Sequence, residues 1–225
     1  MTRRGVVAAL LCGVAPLVAC SDDHPDVVLA ESVIDIRSTG CGPRANLGVG
    51  TAIGDGLIVT AAHVVAGADE ILVTGSMGEQ SEATIVLIDP DDDIAVLRTP
   101  TPIGRPLVDL DGVASAGDHG TVMLPSRGES DARVVDIDVI RPVNIVTTDI
   151  YRDRDVERHG FEVSAVIESG DSGAMVLIDD AGAGIIWARS TAHDDRAWAV
   201  DLPIEITTPE GRAELPEHTP AIPCP

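Results

Sequence analysis

From residue 32 to residue 202 the chain is written in short β-branched runs separated by turn residues. The runs are 32–36, 48–53, 57–60, 70–74, 83–88 and 94–98, then 120–124, 133–140, 144–149, 161–166, 174–178, 184–188 and 197–202. Such side chains fit a pleated surface, and stretches this short cannot complete the several turns a stable helix needs. Short strands with turn signals at this spacing argue an all-β barrel or sandwich. The region from Thr101-Pro102 to Asp111-Gly112 divides the strands into two sets and reads as a crossover. Helix is expected only at Ala61–Gly67 and Pro203–Thr207, and no internal repeat or heptad is visible.

Three motifs sit at strand ends: Thr60-Ala61-Ala62-His63, Asp93-Ile94-Ala95-Val96-Leu97 and Gly170-Asp171-Ser172-Gly173. A serine hydroxyl is a poor nucleophile at neutral pH, so it needs an imidazole to take its proton and a carboxylate to hold that imidazole in the right tautomer. Each motif offers one of those parts. Alone, each is weak, and a serine in a glycine turn is then the plainer reading; the ordered trio is strong. Among the crowded acids Asp89, Asp91, Asp92 and Asp93, only Asp93 abuts the strand Ile94–Leu97, and the others read as a solvated acidic turn. The other histidines, His24, His119, His159, His193 and His218, are read as surface or loop residues. No His/Cys spacing points to zinc and the acidic run fits no calcium loop, so no metal or organic cofactor is expected.

The order His, Asp, Ser and the residues around each resemble the trypsin/chymotrypsin-fold serine proteases. Ala52–Ala68 and Asp89–Arg98 are similar to the bacterial HtrA-type branch. The segments 149–173 and 197–202 resemble the membrane-tethered acid-resistance proteases of bacterial periplasm. The resemblance covers about residues 31–207. It implies two six-stranded antiparallel β-barrels, about 31–100 and 113–207, with the active site between them. It also implies an oxyanion hole from the amides of Gly170 and Ser172, and a primary pocket with Val166 at its base. A substrate-pairing strand would run through Ala188, Arg189 and Ser190, with Arg189 able to face an acidic substrate side chain. An apolar base disfavours a basic side chain, which would be buried without a counter-charge, so a small or medium apolar preference is expected. His159 stands where some acid-specific members keep a substrate-binding histidine. Asp171, which in the digestive enzymes pairs with a new amino terminus, must here find another partner. Ala174-Met175 departs from the usual Gly-Pro, and the chain carries no HtrA-type peptide-binding domain.

Arg3 and Arg4 precede an apolar run, Gly5–Ala19, too short to span a bilayer, which is the pattern of an export signal. It ends in Leu17-Val18-Ala19-Cys20, which resembles a lipobox. Residues 1–19 are then a lipoprotein signal peptide, Cys20 the lipidated residue, 20–30 a polar tether, 31–210 the protease domain and 211–225 an irregular tail. The alternative is an ordinary cleaved signal followed by a free cysteine. Cys41 and Cys224 remain for the folded part and, in an oxidising compartment, suggest one bridge; two unpaired thiols are the other reading. The formal charge is −22 and the chain has no lysine, which disfavours nucleic acid and anionic membrane surfaces as partners.

The resulting expectation is a serine endopeptidase of the cell envelope, lipid-anchored and acting on protein or peptide substrates, its oligomeric state unknown with a monomer favoured. Two rivals stay open: a non-catalytic lipoprotein that keeps the fold as a peptide-binding or scaffold module, and an esterase using the same three residues.

Overall fold

The computed structural model describes residues 25–107, 109–125, 132–219 and 222–225; the signal segment and Cys20 lie outside the described residues. The first lobe is built from β1 (Val33–Thr39), β2 (Asn46–Gly54), β3 (Leu57–Ala61), β4 (Glu70–Gly75), β5 (Gln80–Glu82), β6 (Thr84–Asp89) and β7 (Ile94–Arg98). They form one antiparallel sheet in the order β5-β4-β1-β2-β3-β7-β6. The second lobe, β8 (His119–Leu124), β9 (Arg133–Thr148), β10 (Asp155–Ser164), β11 (Met175–Ile178), β12 (Ala181–Arg189) and β13 (Arg196–Asp201), closes as a six-stranded barrel in the order β10-β13-β12-β11-β8-β9. The fold is therefore the expected all-β, two-lobed one. The first lobe differs in detail: it is a seven-stranded sheet rather than a six-stranded barrel, because the chain after Gly75 turns back and lays the polar β5 against β4, Leu72 opposite Glu82. Three polar residues carry no alternating apolar signal, so the strand was illegible in sequence.

Two further differences have the same kind of cause. The runs 133–140 and 144–149 are one strand, β9, continuous through Pro142. Its first part, Arg133–Asp138, pairs with β8, and from Val139 onward it pairs with β10 alone, so the missing N–H of Pro142 costs no ladder bond on the open side. β10 begins at Asp155, well before the expected start at Phe161. Its inward positions alternate through Val156, Arg158 and Gly160, and the buried arginine disguised the pattern.

Two clusters of buried side chains hold the lobes. One fills the first sheet and extends through Leu107 and Leu110 to Met123, Met175, Leu177, Ile185 and Val200 of the barrel, so the lobes share a core. The other fills the barrel around Phe161, the only phenylalanine of the chain. Helices are few: α1 (Pro25–Ser32), α2 (Ala62–Val65), α3 (Ile204–Thr207) and α4 (Pro209–Glu214). α1 replaces the end of the expected tether. Leu29 is buried, and Ser32 Oγ donates to the Leu29 carbonyl at 2.7 Å. α4 replaces the start of the irregular tail, with Pro209 at its first position and Thr208 Oγ1 accepting from Gly211 N at 3.1 Å, an ordinary helix start. The tail is then pinned to β6 by Thr219 N–H to Ile85 O, 2.9 Å, and its end is joined to the first lobe by a disulfide between Cys41 and Cys224, Cα atoms 5.4 Å apart. Closing a loop of this length contributes about 5 kcal/mol in the chain-entropy account. No helix among the described residues is long and apolar enough to cross a membrane.

Glu162 on β10 is the most consequential charge inside the barrel wall. Its side chain is 5% exposed and accepts from Arg141 Nε at 2.8 Å and Arg196 at 3.2 Å. The bond from Arg141, reinforced by Arg196, holds the carboxyl below its ordinary 4.5. A carboxyl depressed on folding stabilises the native state above its unfolded pKa, and that stability is lost as pH falls through the lower, folded value. Urea unfolding should show the widest gap between wild type and Glu162→Gln at neutral pH, closing below 4.5; a gap that widens on acidification would contradict the assignment.

Candidate active site

The His63 and Asp93 segments meet because β3 and β7 are neighbours in a fixed register, Ala61 opposite Ile94. All five residues of β3 are buried, so the strand is held on both faces, and α2 follows it directly with His63 in its first turn. Asp93 adopts φ +59°, a left-handed conformation that aspartate tolerates better than most residues. That twist turns both its carbonyl and its carboxylate toward the start of α2. The Asp93 carbonyl accepts from Ala62 N at 2.9 Å, Oδ1 accepts from His63 N at 2.8 Å, and Oδ2 lies 2.7 Å from His63 Nδ1. One carboxylate thus grips both the backbone and the ring of the histidine. An ionised carboxylate can only accept, so Nδ1 carries the proton and Nε2 of the neutral ring is left as the acceptor. The Asp93 side chain is 5% exposed and that of His63 37%, so the carboxylate is buried while the ring is partly open, and both line one cavity.

Asp89, Asp91 and Asp92 are not simply solvated. Asp89 Oδ1 accepts from the amides of Asp91 and Asp92 at 2.9 and 3.1 Å, and Asp91 pairs with Arg154 of the second lobe. Burial, followed by the neighbouring Asp89, pushes the Asp92 carboxyl above its ordinary value.

The Ser172 turn comes from the other lobe and docks on the strands that carry His63. Ser172 O accepts from Val49 N at 2.9 Å, and Gly173 N donates to Ile186 O at 2.8 Å. Gly173 has φ +91°, and a Cβ there would stand 2.0 Å from Val49 O and 2.5 Å from Thr60 Oγ1. The glycine is therefore required twice, for its conformation and for the approach of the two lobes. Asp171 is fully buried; its Oδ2 accepts from Glu168 N at 2.9 Å and its amide donates to Glu168 O at 3.2 Å. This closes the 168–171 loop on itself and answers where the acid finds a partner. The amides of Gly170 and Ser172 donate to no acceptor among the described residues, and Gly170 has φ +97°. Among the described residues no hydrogen bond joins Ser172 Oγ to His63; the two are related by the docking of their backbones.

The expected substrate-contact residues divide. Ala188 lines a cavity of about 540 Å³ together with His63, Asp93, Ile150, Arg158 and Trp187. Arg189 is exposed at the end of β12, paired in the ladder with Ala197. Ser190 lies just past β12, its amide donating to Arg196 O at 2.9 Å and its Oγ accepting from Ala192 N and His193 N at 3.2 and 3.1 Å. Val166 departs from its expected place. It does not floor an enclosed apolar pocket but is 64% exposed, because the extended chain after β10 alternates and sends Ala165 and Ile167 inward. The depression it lines, about 300 Å³, mixes Leu124, Val135 and Ala165 with Arg133, Asp136 and Glu168, so the expected apolar primary pocket is not what these residues build. His159 bonds Asn144 across the β9–β10 ladder, Nδ1 to Oδ1 2.9 Å, and does not line the His63 cavity. A second groove of about 480 Å³, lined by Leu47, Leu72, Pro125, Asp35 and Arg37, runs up to Ser169 and Gly170.

Sequence reasoning missed the part played by Ile150, Arg152 and Arg158, which reach from the β9–β10 hairpin into the His63 cavity. The signal was available as charge complementarity: Arg152, Arg154 and Arg158 follow one another as Asp89, Asp91 and Asp92 do in the other lobe.

The fold is thus a two-lobed antiparallel β protein in which the glycine-bracketed Ser172 turn of one lobe docks on β2, beside the strand that leads to the His63–Asp93 pair of the other. Residues 48–185 match the family of the trypsin-like peptidase domain, and the chain belongs to it. Serine protease Rv3671c of Mycobacterium tuberculosis is 32% identical over 160 residues, 69% of this chain and 39% of the relative, so the chain spans well under half the length of that protein. A probable periplasmic serine endoprotease, DegP-like, of Halomonas elongata is 50% identical over 56 residues, 24% of this chain and 12% of its own. Among solved structures, the active form of the Rv3671c protease superposes with a TM-score of 0.77 at 22% identity, covering 98% of this chain and 99% of that one. The HtrA-type protease AlgW bound to a tripeptide gives 0.64 at 22% identity, covering 79% and 58%. At such identities the structures establish the shared fold.

The contacts of Gly173 generate a direct prediction. Gly173→Ala should destabilise the protein by at least about 2 kcal/mol, through the left-handed φ and the collision with Val49 O. Equilibrium urea unfolding checks it, and a change under about 0.5 kcal/mol would mean the two lobes do not meet there as described.

Proposed function

We propose that this chain is a serine endopeptidase in which Ser172 is the nucleophile, His63 the general base and acid, and Asp93 the group that orients it. The observation that carries this reading is the grip of one buried carboxylate on both the amide and the ring of His63, which leaves Nε2 as an acceptor at the cleft. In the reaction, Nε2 takes the Ser172 proton as Oγ attacks the scissile carbonyl, and returns it to the departing amine as the acyl-enzyme forms. Water then repeats the sequence and releases the acid. The developing oxyanion is met by the amides of Gly170 and Ser172, each such donor typically contributing about 3 kcal/mol in the transition state. No metal or organic group is called on. Ala188 and the exposed Arg189 lie on the strand read as pairing with the substrate backbone, beside the His63 cavity.

A fluorophosphonate probe tests the reading. Wild type should be labelled at Ser172 alone and Ser172→Ala not at all. Asp93→Asn should fold but react about 10⁴-fold more slowly, since an amide can hold the ring in the wrong tautomer. Folded wild type that stays unlabelled from about pH 5 to 9, with peptides added, would favour a scaffold module that keeps the fold. Hydrolysis of an unfolded protein, against hydrolysis of a simple ester only, separates the peptidase from an esterase.

We place the enzyme at the cell envelope, exported and lipid-anchored through Cys20. Support comes from the signal-like residues 1–19 and from relatives that include a protein named as probably periplasmic. Cells expressing the full chain with an alkyne palmitate analogue should incorporate label that is lost in Cys20→Ala; equal incorporation in the two would remove the anchor.

A further inference from the structure

The base and its acid stand on the first lobe and the serine on the second, so something must fix the acid-bearing turn relative to the barrel. Asp93 holds a left-handed backbone, a conformation that aspartate adopts at modest cost and that here directs its carboxylate to His63. Three contacts from the β9–β10 hairpin reach that turn across the lobe boundary. Ile150 N–H donates to Pro90 O at 3.1 Å, Arg154 pairs with the Asp91 carboxylate, and Arg158 Nε donates to the Asp91 carbonyl. Only the third comes from a buried side chain: Arg158 is 4% exposed, in an inward strand position where an apolar residue would ordinarily pack.

Arg158 forms no ion pair among the described residues. Its guanidinium is met by the carbonyls of Asp91 and Thr148 and by the face of Trp187, 4.5 Å from the ring centroid, and Trp187 in turn stacks on Trp198 at 6.0 Å. Its charge is felt by the Asp92 carboxylate nearby, but no carboxylate among the described residues touches it, and burying a cation without a contacting counter-charge is costly where apolar side chains would fill the site more cheaply. What the guanidinium supplies that they could not is a planar group reaching two carbonyls on different elements while lying on an indole. One of those carbonyls is two residues before Asp93, and the indole immediately precedes Ala188 in the wall of the His63 cavity.

We propose that Arg158 is a positioning residue: by tying the Asp91 carbonyl to Trp187 it sets the Asp93 turn, and with it the His63 ring, against the barrel that carries Ser172. This rests on the peptidase reading above and deepens it. The geometry makes Arg158 act on the chemical step through Asp93 rather than on affinity for the substrate.

The test compares wild type, Arg158→Met, Arg158→Lys and, as a control, Arg141→Gln, which breaks a structural ion pair of the same hairpin away from the turn. Two readouts are taken: the fluorophosphonate kinact and KI, and the low-field proton NMR signal of the His63 Nδ1 proton shared with Asp93. Arg158→Met should lower kinact about tenfold or more with KI within about twofold, and lose or shift the low-field signal. Arg158→Lys should recover part of both, while Arg141→Gln leaves both unchanged. Wild-type kinact and signal in Arg158→Met, or equal losses in Arg141→Gln, would overturn the proposal. Should Arg158→Met not fold, Arg158→Lys decides, since a lysine with wild-type rate and signal shows that the two-carbonyl reach of the guanidinium is dispensable. If wild type itself is not labelled, the peptidase reading fails, and the NMR comparison still decides whether Arg158 sets the His63–Asp93 bond.

Discussion

The carboxylate of Asp93 accepts from the amide of His63 with one oxygen and lies against the ring Nδ1 with the other, and much of this structure is what is needed to hold it there. The carboxylate can make both contacts only if its backbone turns left-handed immediately before β7. It reaches the start of α2 only because β7 lies beside β3 in the register that opposes Ala61 to Ile94. β3 in turn is buried on both faces, so a slip of one residue would set every side chain into a space packed for another and carry the histidine away from its acid. The placement of one hydrogen-bonded pair is in this way secured by the hydrophobic pattern of a sheet.

The serine turn is held by an independent set of contacts from the opposite lobe. Its conformation comes from Gly170, Asp171 and Gly173, and its position from the bond between Val49 N and Ser172 O. The shared core of Leu107, Leu110, Met123, Met175 and their neighbours presses the lobes together without directing them, since apolar contact is non-directional. Direction comes from polar contacts at the boundary: the backbone of the Ser172 turn on one side and the hairpin contacts to the Asp89–Asp93 turn on the other. On the peptidase reading proposed above, a displacement of about 1 Å between reacting groups would cost about a hundredfold in rate, so a few directed bonds at this boundary would outweigh their small share of stability.

Charge has two distinct scales here. The large negative balance of the chain acts at long range on what approaches the protein and says little about its fold. The local charges that matter for the architecture are few and lie at the lobe boundary or in the barrel wall: the acidic turn facing Arg154 and Arg158, and Glu162 between Arg141 and Arg196. Each acid–base group joins strands distant in sequence.

The sequence by itself determined the strand character of the chain, its division into two sets, the order of the three motifs and the pairing partners Cys41 and Cys224. These properties are local: alternation, turn residues and motif spelling are properties of neighbouring residues, and with only two cysteines in the folded part a single bridge was possible. Asp93 was singled out among four candidates because it directly precedes the run Ile94–Leu97, and it is the one whose carboxylate meets His63. Tertiary structure alone decided β5, the unbroken β9 and the early start of β10, since a polar edge strand, a proline facing an open side and an arginine in an inward position each run against local preference. It also decided that Val166 is exposed and that Arg158 meets the acid-bearing loop. Those outcomes depend on which groups from remote segments arrive at the same place, and no local pattern encodes that arrival.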